Sequence, residues 1–263
     1  MELFKKEIIE CLIDTFNPRF IVINNDVYQR DLEFAPRNKE IVYAKNKISE
    51  KLITTIQHLN AKFIVDVLNG QKTGFYYDQL ENRKYISTIA KDKTVLDLCC
   101  YTGSFGILCS LSGAKNVVGV DSSSYAIELA KENAKLNKVE VEFVNTKIED
   151  FIKYNKKIFD LVIFDPPSYA KSEKDVNPAK KKYEFILSKI LNMLNNNGIL
   201  SFSVCSRHIS LEDSYKIILS SMLKNKQKGF IIYYGTQAKD HPIYLPMKFE
   251  TEYLKFIAVE VFK

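Results

Sequence analysis

From Thr94 onward, short apolar runs alternate with stretches whose apolar positions recur every three or four residues. TVLDL, NVVGVD, VEVEFVNT, FDLVIFD and GILSFSVC read as buried strands. FGILCSLSGA, SSSYAIELAKENAKLN, KKYEFILSKILNML and ISLEDSYKIILSSML read as helices, the second with a serine-rich cap. Near-continuous apolar strands between helices predict an α/β fold, a three-layer Rossmann-like sheet that is mostly parallel. GFIIYYG and EYLKFIAVEVF have no long helix between them and predict an antiparallel edge.

The first ninety or so residues are less regular. MELFKKEIIECLIDTF reads as an amphipathic helix and RFIVIN as a short strand, with turns and short extended pieces over NDVYQRDLEFAPRNKEIVYAKN. AKFIVDVLNGQKTGFYYDQ reads as two strands about an Asn69-Gly70 turn, and DQLENRKYISTIAK as a helix beginning near Asp78. The expected organisation is a small N-terminal α+β region over residues 1–90 and a catalytic domain over residues 91–263. KSEKDVNPAKKK lacks a comparable apolar pattern and reads as a mobile, basic flap.

Composition narrows this only modestly. No apolar stretch is long enough to span a bilayer, and the N-terminus lacks a signal peptide's apolar run and cleavage site. A formal net charge of +6 permits a polyanionic partner without demanding one. The five cysteines, at positions 11, 99, 100, 109 and 205, have no metal-ligand spacing, and Cys99 and Cys100 should face opposite sides of a strand. Their odd number points to reduced thiols and a cytoplasmic protein with no metal; monomer and homodimer both remain open.

Candidate chemistry gathers at strand ends. In LDLCCYTGSFG, Asp97 lies on a strand and Gly103 in the turn before a helix, where backbone and helix-start amides can approach a ligand. Asp121 ends the next strand, placed to accept both hydroxyls of a ribose; a helix cap is its bland alternative. Nicotinamide binding is a rival, but an acidic, rigid first turn better suits a cationic sulfonium cofactor. In FDPPS, Pro166 and Pro167 hold Asp165 at the edge of the same crevice. Cys205 ends the following strand in GILSFSVCSRH, which makes it either a packed thiol or a nucleophile beside Asp165. His208 reads as a hydrogen-bonded loop histidine in preference to a base beside Cys205, His241 as structural or substrate-facing, and Cys99 and Cys100 as packed thiols.

NGQKTGFYYDQLENR, VLDLCCYTGSFG, VVGVD, FDPPSYAKS, GILSFSVCS and DHP…EYLK together resemble the class I S-adenosylmethionine-dependent cytosine-C5 methyltransferases that modify large-subunit ribosomal RNA. The resemblance runs from about Asn17 to the C-terminus. It implies S-adenosylmethionine as cofactor, held by Asp97, Tyr101, Thr102, Gly103, Asp121, Ile148 and Asp165, with Lys72, Thr73 and Gln79 closing over the methionyl end. It implies Cys205 as pyrimidine nucleophile and Asp165 as the base-contacting carboxylate. The implied partner is RNA, met by Arg83, Pro166, Pro167, Tyr169, Lys171 and Arg207, with organisation of the site as the alternative role for Arg83. On that reading Tyr169 stacks on an extruded base, and Lys171, Lys174 and Lys180 to Lys182 steer phosphate; the bland alternative has Tyr169 packing and the lysines solvated.

Three departures stand out. Leu80 replaces a cation of the family pattern, Asn145-Thr146-Lys147 stands where an acidic residue is usual, and the chain starts too late for the family's N-terminal RNA-binding (PUA-like) domain. Three further readings stay open: an amino-group methyltransferase, a small-molecule methyltransferase, and a noncatalytic RNA-binding protein that keeps the cofactor fold.

Overall fold

The computed structural model describes residues 2–26, 29–32, 34–46 and 52–263. Val27, Tyr28 and Glu33, within the stretch expected to form turns and extended pieces, lie outside the described residues. The chain divides into two compact units, Met1–Ile56 with Ile64–Tyr76, and Gln57–Phe63 with Tyr77–Lys263.

The first unit opens with helix α1 (Lys5–Phe16), strand β1 (Phe20–Asn24), a single turn of helix α2 (Gln29–Leu32) and strand β2 (Lys39–Ala44). β1 and β2 pair antiparallel, from Phe20↔Ala44 to Asn24↔Lys39. The predicted hairpin about Asn69-Gly70 is replaced by an earlier one. Strands β3 (Ile53–His58) and β4 (Ala61–Asp66) pair with each other, with Leu59 turning between them at a φ of 55°. Asp66 explains the difference. Its Oδ1 accepts the amides of Leu68 (3.0 Å) and Asn69 (2.8 Å), and its carbonyl accepts that of Gly70 (3.0 Å). Those local bonds wind the chain into a turn and take the donors that a second strand would need.

The second unit continues through α3 (Leu80–Ile89), β5 (Thr94–Leu98), α4 (Ser104–Leu111), β6 (Asn116–Asp121), α5 (Ser124–Leu136), β7 (Glu142–Asn145), α6 (Ile148–Tyr154), β8 (Phe159–Phe164), α7 (Val176–Ile190), β9 (Leu194–Cys205), α8 (Leu211–Lys224), β10 (Lys228–Gly235), α9 (Lys248–Thr251) and β11 (Leu254–Phe262). Its seven-stranded sheet has the order β10-β11-β9-β8-β5-β6-β7. β7, β6, β5, β8 and β9 run parallel, and β11 joins β9 and β10 antiparallel, so the expected three-layer sheet with an antiparallel edge is present. Leu96, Leu98, Val162, Phe164, Leu200 and Phe202 pack on Tyr183, Ile186 and Ile190 of α7. Val95, Leu161 and Ile163 face the other way, onto Ile86 of α3 and Phe105 of α4. Strands covered on both faces must be apolar on both, which is why they read as unbroken runs.

Two further expectations need correction. β5 stops at Leu98, so Cys99 (φ 60°) and Cys100 lie in a turn rather than on opposite faces of a strand. The segment read as a mobile flap is helical: Ser172 and Asp175 form a capping box, α7 starts at Val176, Ala179 is buried, and Lys180 pairs with Asp213. A reciprocal cap and one buried small residue are enough to hold a lysine-rich first turn against α8.

Candidate active site

The cofactor turn is built at the C-terminal ends of β5 and β6. Cys99, Tyr101 and Gly103 all have left-handed backbone, at φ 60°, 49° and 80°. The Asp121 carboxylate spans the turn, Oδ2 accepting the Tyr101 amide (2.9 Å) and Oδ1 that of Ser123 (2.9 Å). Each oxygen is left with a further acceptor position, which is the capacity a ribose diol needs. Ser123, not Asp121, caps α5, its Oγ accepting the Ala126 amide at 3.2 Å. Beneath the turn Asp97 is buried, with Oδ2 accepting the Gly106 amide (2.9 Å) and Oδ1 without a hydrogen-bond partner among the described residues. Burial pushes its carboxyl up to about 7, against the Gly106 amide; Asp165 adds to the rise and Arg83 opposes it. A buried acid with an unsatisfied oxygen and a raised pKa is a place where a cation binds favourably.

Gln79 joins the second half of the site together. β8 and β9 lie side by side, with Phe164 opposite Phe202, so Asp165 and Cys205 leave neighbouring strands at the same end of the sheet. Gln79 Nε2 donates to Asp165 Oδ1 (3.0 Å) and to Ser203 Oγ (3.2 Å), and the residue is buried. Pro166 is buried, Pro167 exposed, and Asp165 and Cys205 are half-buried. Lys72 and Thr73 belong to the first unit; both are exposed, with Lys72 Nζ 4.5 Å from the centre of the Tyr76 ring. Thr102 and Gly103 are buried, and Tyr101 and Ile148 half-buried.

Among the residues proposed for substrate, Arg83 is 3% exposed, its Nη1 3.3 Å from His58 Nε2 and its guanidinium 5.4 Å from the Phe105 ring centre. Burial lowers it to about 10, opposed by Asp165, Asp78 and Asp97. It is the buried counter-charge of the acidic site, a role that suits organisation rather than contact with a phosphate backbone. Tyr169 packs on Tyr183 with ring centres 4.7 Å apart, under Lys182 Nζ at 4.1 Å. Lys171, Lys174, Lys181 and Arg207 are exposed. His208 is not fully satisfied: its Nε2 faces Arg207 Nε at 3.4 Å, and its Nδ1 has no partner among the described residues.

An arginine can only donate, so His58 Nε2 accepts and the ring is neutral. Burial, helped by the Arg83 charge, holds His58 down to about 4. The unfolded chain therefore takes up this proton first, and stability is lost as pH falls from about 6.5 towards 4. His58→Gln is expected to flatten that part of the acid limb by about 2 kcal/mol, read from urea midpoints at pH 7 and 4.5.

Lys255 was not singled out by sequence, although a lysine inside the apolar run YLKFIAV was the available signal. It is 7% exposed, and Nζ donates to the carbonyls of Ser206 (2.8 Å) and Glu252 (3.3 Å). Among the described residues no carboxylate lies within 4.0 Å of it. Burial lowers its pKa, and the nearby carboxylate of Glu252 opposes that.

Fold and site together define a Rossmann-like methyltransferase domain. A family model described as "Methyltransferase domain" matches residues 89–245, and the chain belongs to that family. It is 34% identical over 264 residues to ribosomal RNA large subunit methyltransferase I of Tolumonas auensis, covering 98% of this chain and 66% of that one. It is 40% identical over 221 residues to the putative ribosomal RNA large subunit methyltransferase MJ1653 of Methanocaldococcus jannaschii, covering 80% and 55%. The chain thus spans 55 to 66% of the length of these curated relatives. A putative SAM-dependent methyltransferase structure from Streptococcus mutans superposes with a TM-score of 0.74 at 23% identity, over 84% of this chain and 58% of that one. Trm5b from Pyrococcus abyssi gives 0.72 at 19%, over 100% and 71%; both likenesses establish the fold. The cofactor of this domain is S-adenosylmethionine, and the acceptor capacity of Asp121 and the unsatisfied Asp97 fit it.

Proposed function

We propose that this chain methylates C5 of a cytosine in RNA, with large-subunit ribosomal RNA as the substrate class, through a covalent bond from Cys205 to C6. The observation that carries the reading is the pairing of Asp165 and Cys205 at adjacent strand ends, with Gln79 bonded both to Asp165 and to Ser203, two residues before the thiol. Bound S-adenosylmethionine supplies an electrophilic methyl group on sulfur. Cys205 thiolate adds to C6 and breaks the ring's aromaticity, which makes C5 the nucleophilic carbon. Asp165 faces the N3 and amino edge and delivers or shares a proton at N3 as negative charge develops there. Loss of the C5 proton after methylation re-forms the double bond and expels Cys205. A paired cytosine has to leave its stack for this geometry.

The relatives' names support ribosomal RNA as substrate, and the domain supports the cofactor. Nucleoside mass spectrometry of unmodified ribosomal RNA, incubated with the protein and isotope-labelled S-adenosylmethionine, tests the reading. Labelled 5-methylcytidine is expected. Labelled N-methyladenosine or N-methylcytidine would overturn the carbon chemistry.

Beside Arg207 and the cationic cofactor, we assign Lys255, whose Nζ bonds the carbonyl of Ser206 next in sequence, to favouring a thiolate at Cys205. Lys255→Met is expected to slow alkylation of Cys205 by iodoacetamide at pH 7 by about tenfold, equivalent to about 1.4 kcal/mol, with rates converging at high pH. Equal rates for variant and parent across pH 6 to 9 would remove the lysine from this role.

A further inference from the structure

Asn82, Gln79 and Asp165 are linked by hydrogen bonds whose polarity is set at the far end by a backbone carbonyl. The Thr236 carbonyl can only accept, so the Asn82 atom 3.3 Å from it is the donor nitrogen Nδ2. The same nitrogen lies 2.7 Å from Gln79, which must therefore present Oε1 to it. That leaves Gln79 Nε2 facing Asp165 Oδ1 at 3.0 Å and Ser203 Oγ at 3.2 Å. Gln79 is 3% exposed and Asn82 fully buried, so bulk water does not compete for these bonds. Neither amide can flip without setting its oxygen against a carbonyl or a carboxylate.

We propose that Asn82 and Gln79 are positioning residues for Asp165, holding Oδ1 as an acceptor and so fixing the orientation of that carboxyl. The inference rests on the role of Asp165 in the proposed reaction and deepens it. A carboxyl with two equivalent oxygens can meet a base edge in either proton arrangement. The relay removes that symmetry by committing Oδ1 to Gln79. An N–H directed at a carboxylate also stabilises its charged form, so losing the bond raises the pKa.

Gly235 supplies an independent handle. A Cβ at this position would sit 2.0 Å from Asn82 Oδ1, so Gly235→Ala displaces the far member of the relay without altering a group that meets substrate. The readout is the pH profile of 5-methylcytidine formation at saturating S-adenosylmethionine, beside calorimetric binding of S-adenosylhomocysteine. In Gln79→Met the midpoint due to Asp165 is expected to move up by about one pH unit, a tenfold change in rate on the flank of the profile; the affinity control is Gly235→Ala, expected to bind S-adenosylhomocysteine within about twofold of the parent. Gly235→Ala is expected to move it the same way by less, and it carries the test if Gln79→Met does not fold.

A parallel drop at every pH, or an unchanged profile, overturns the relay. If the parent protein makes 5-methylcytidine and both variants keep its profile, the relay fails while the proposed function stands. If the parent makes a different methylated nucleoside, the proposed function fails first.

Discussion

Cys205→Ala is expected to remain folded, to bind S-adenosylmethionine as the parent does, and to form 5-methylcytidine at a rate lower by on the order of 10³ or more. The reasoning begins with the strand. Cys205 is the last residue of β9, its partner across the sheet is Leu254, and its side chain is only half-buried. Removing the thiol therefore opens little of the core, which lies further along the strand at Leu200, Phe202 and Val204. The cofactor turn stands on β5 and β6, so its contacts persist. What disappears is the only proposed means of making C5 nucleophilic. RNA carrying 5-fluorocytidine separates this from a mere loss of binding. Fluorine at C5 cannot leave as a proton does, so the parent enzyme should accumulate a covalent adduct that resists denaturant and is absent from the variant. Parent-like methylation by Cys205→Ala would transfer the chemistry to a direct mechanism and leave the thiol a packed side chain.

Gly103→Val is expected to weaken S-adenosylmethionine binding by at least tenfold and to lower the melting temperature by about 5–10 °C. Gly103 sits at φ 80°, immediately before α4, in backbone that a β-branched residue adopts only at a cost of about 1–3 kcal/mol. Its Cβ would also lie 2.8 Å from Phe143 Cζ and 3.3 Å from Ala130 Cβ. The Phe143 ring also packs over Gly119, where a Cβ would meet it at 2.7 Å, so displacing it disturbs a second contact as well. The turn must then move, carrying Tyr101 away from the Asp121 carboxylate that it bonds. Calorimetry with S-adenosylmethionine and a thermal melt would measure the two effects separately. Full affinity in a protein melting several degrees lower would detach the turn from the cofactor.

The elements of the sheet were legible because doubly covered strands are apolar throughout and the helices between them are not. The antiparallel edge was legible because too little helix separates β10 from β11. The N-terminal hairpin was misplaced for a local reason: an Asn-Gly pair resembles a hairpin turn, but Asp66 takes the amides that follow it. The basic segment was misread because Ser172-Asp175 capping and the single buried Ala179 leave almost no hydrophobic period.

At the candidate site, Asp97, Gly103, Asp121, Asp165 and Cys205 could be proposed from sequence, since each lies at or near a strand end or turn and such positions are marked by local pattern. Their partners could not. Arg83 read either as an organiser of the site or as a contact to the nucleic-acid backbone, and its burial beside His58 depends on what α3 packs against. Lys255, Asn82 and Ser203 carry no local motif; only the packing of β11, α3 and β9 brings them to the Asp165–Cys205 end of the sheet. The chain by itself determined which residues can do chemistry and the order in which they occur. Only the tertiary structure decided which hydrogen bond each makes and which charges are removed from water, because both depend on neighbours more than a hundred residues away, as Gln79 and Ser203 are.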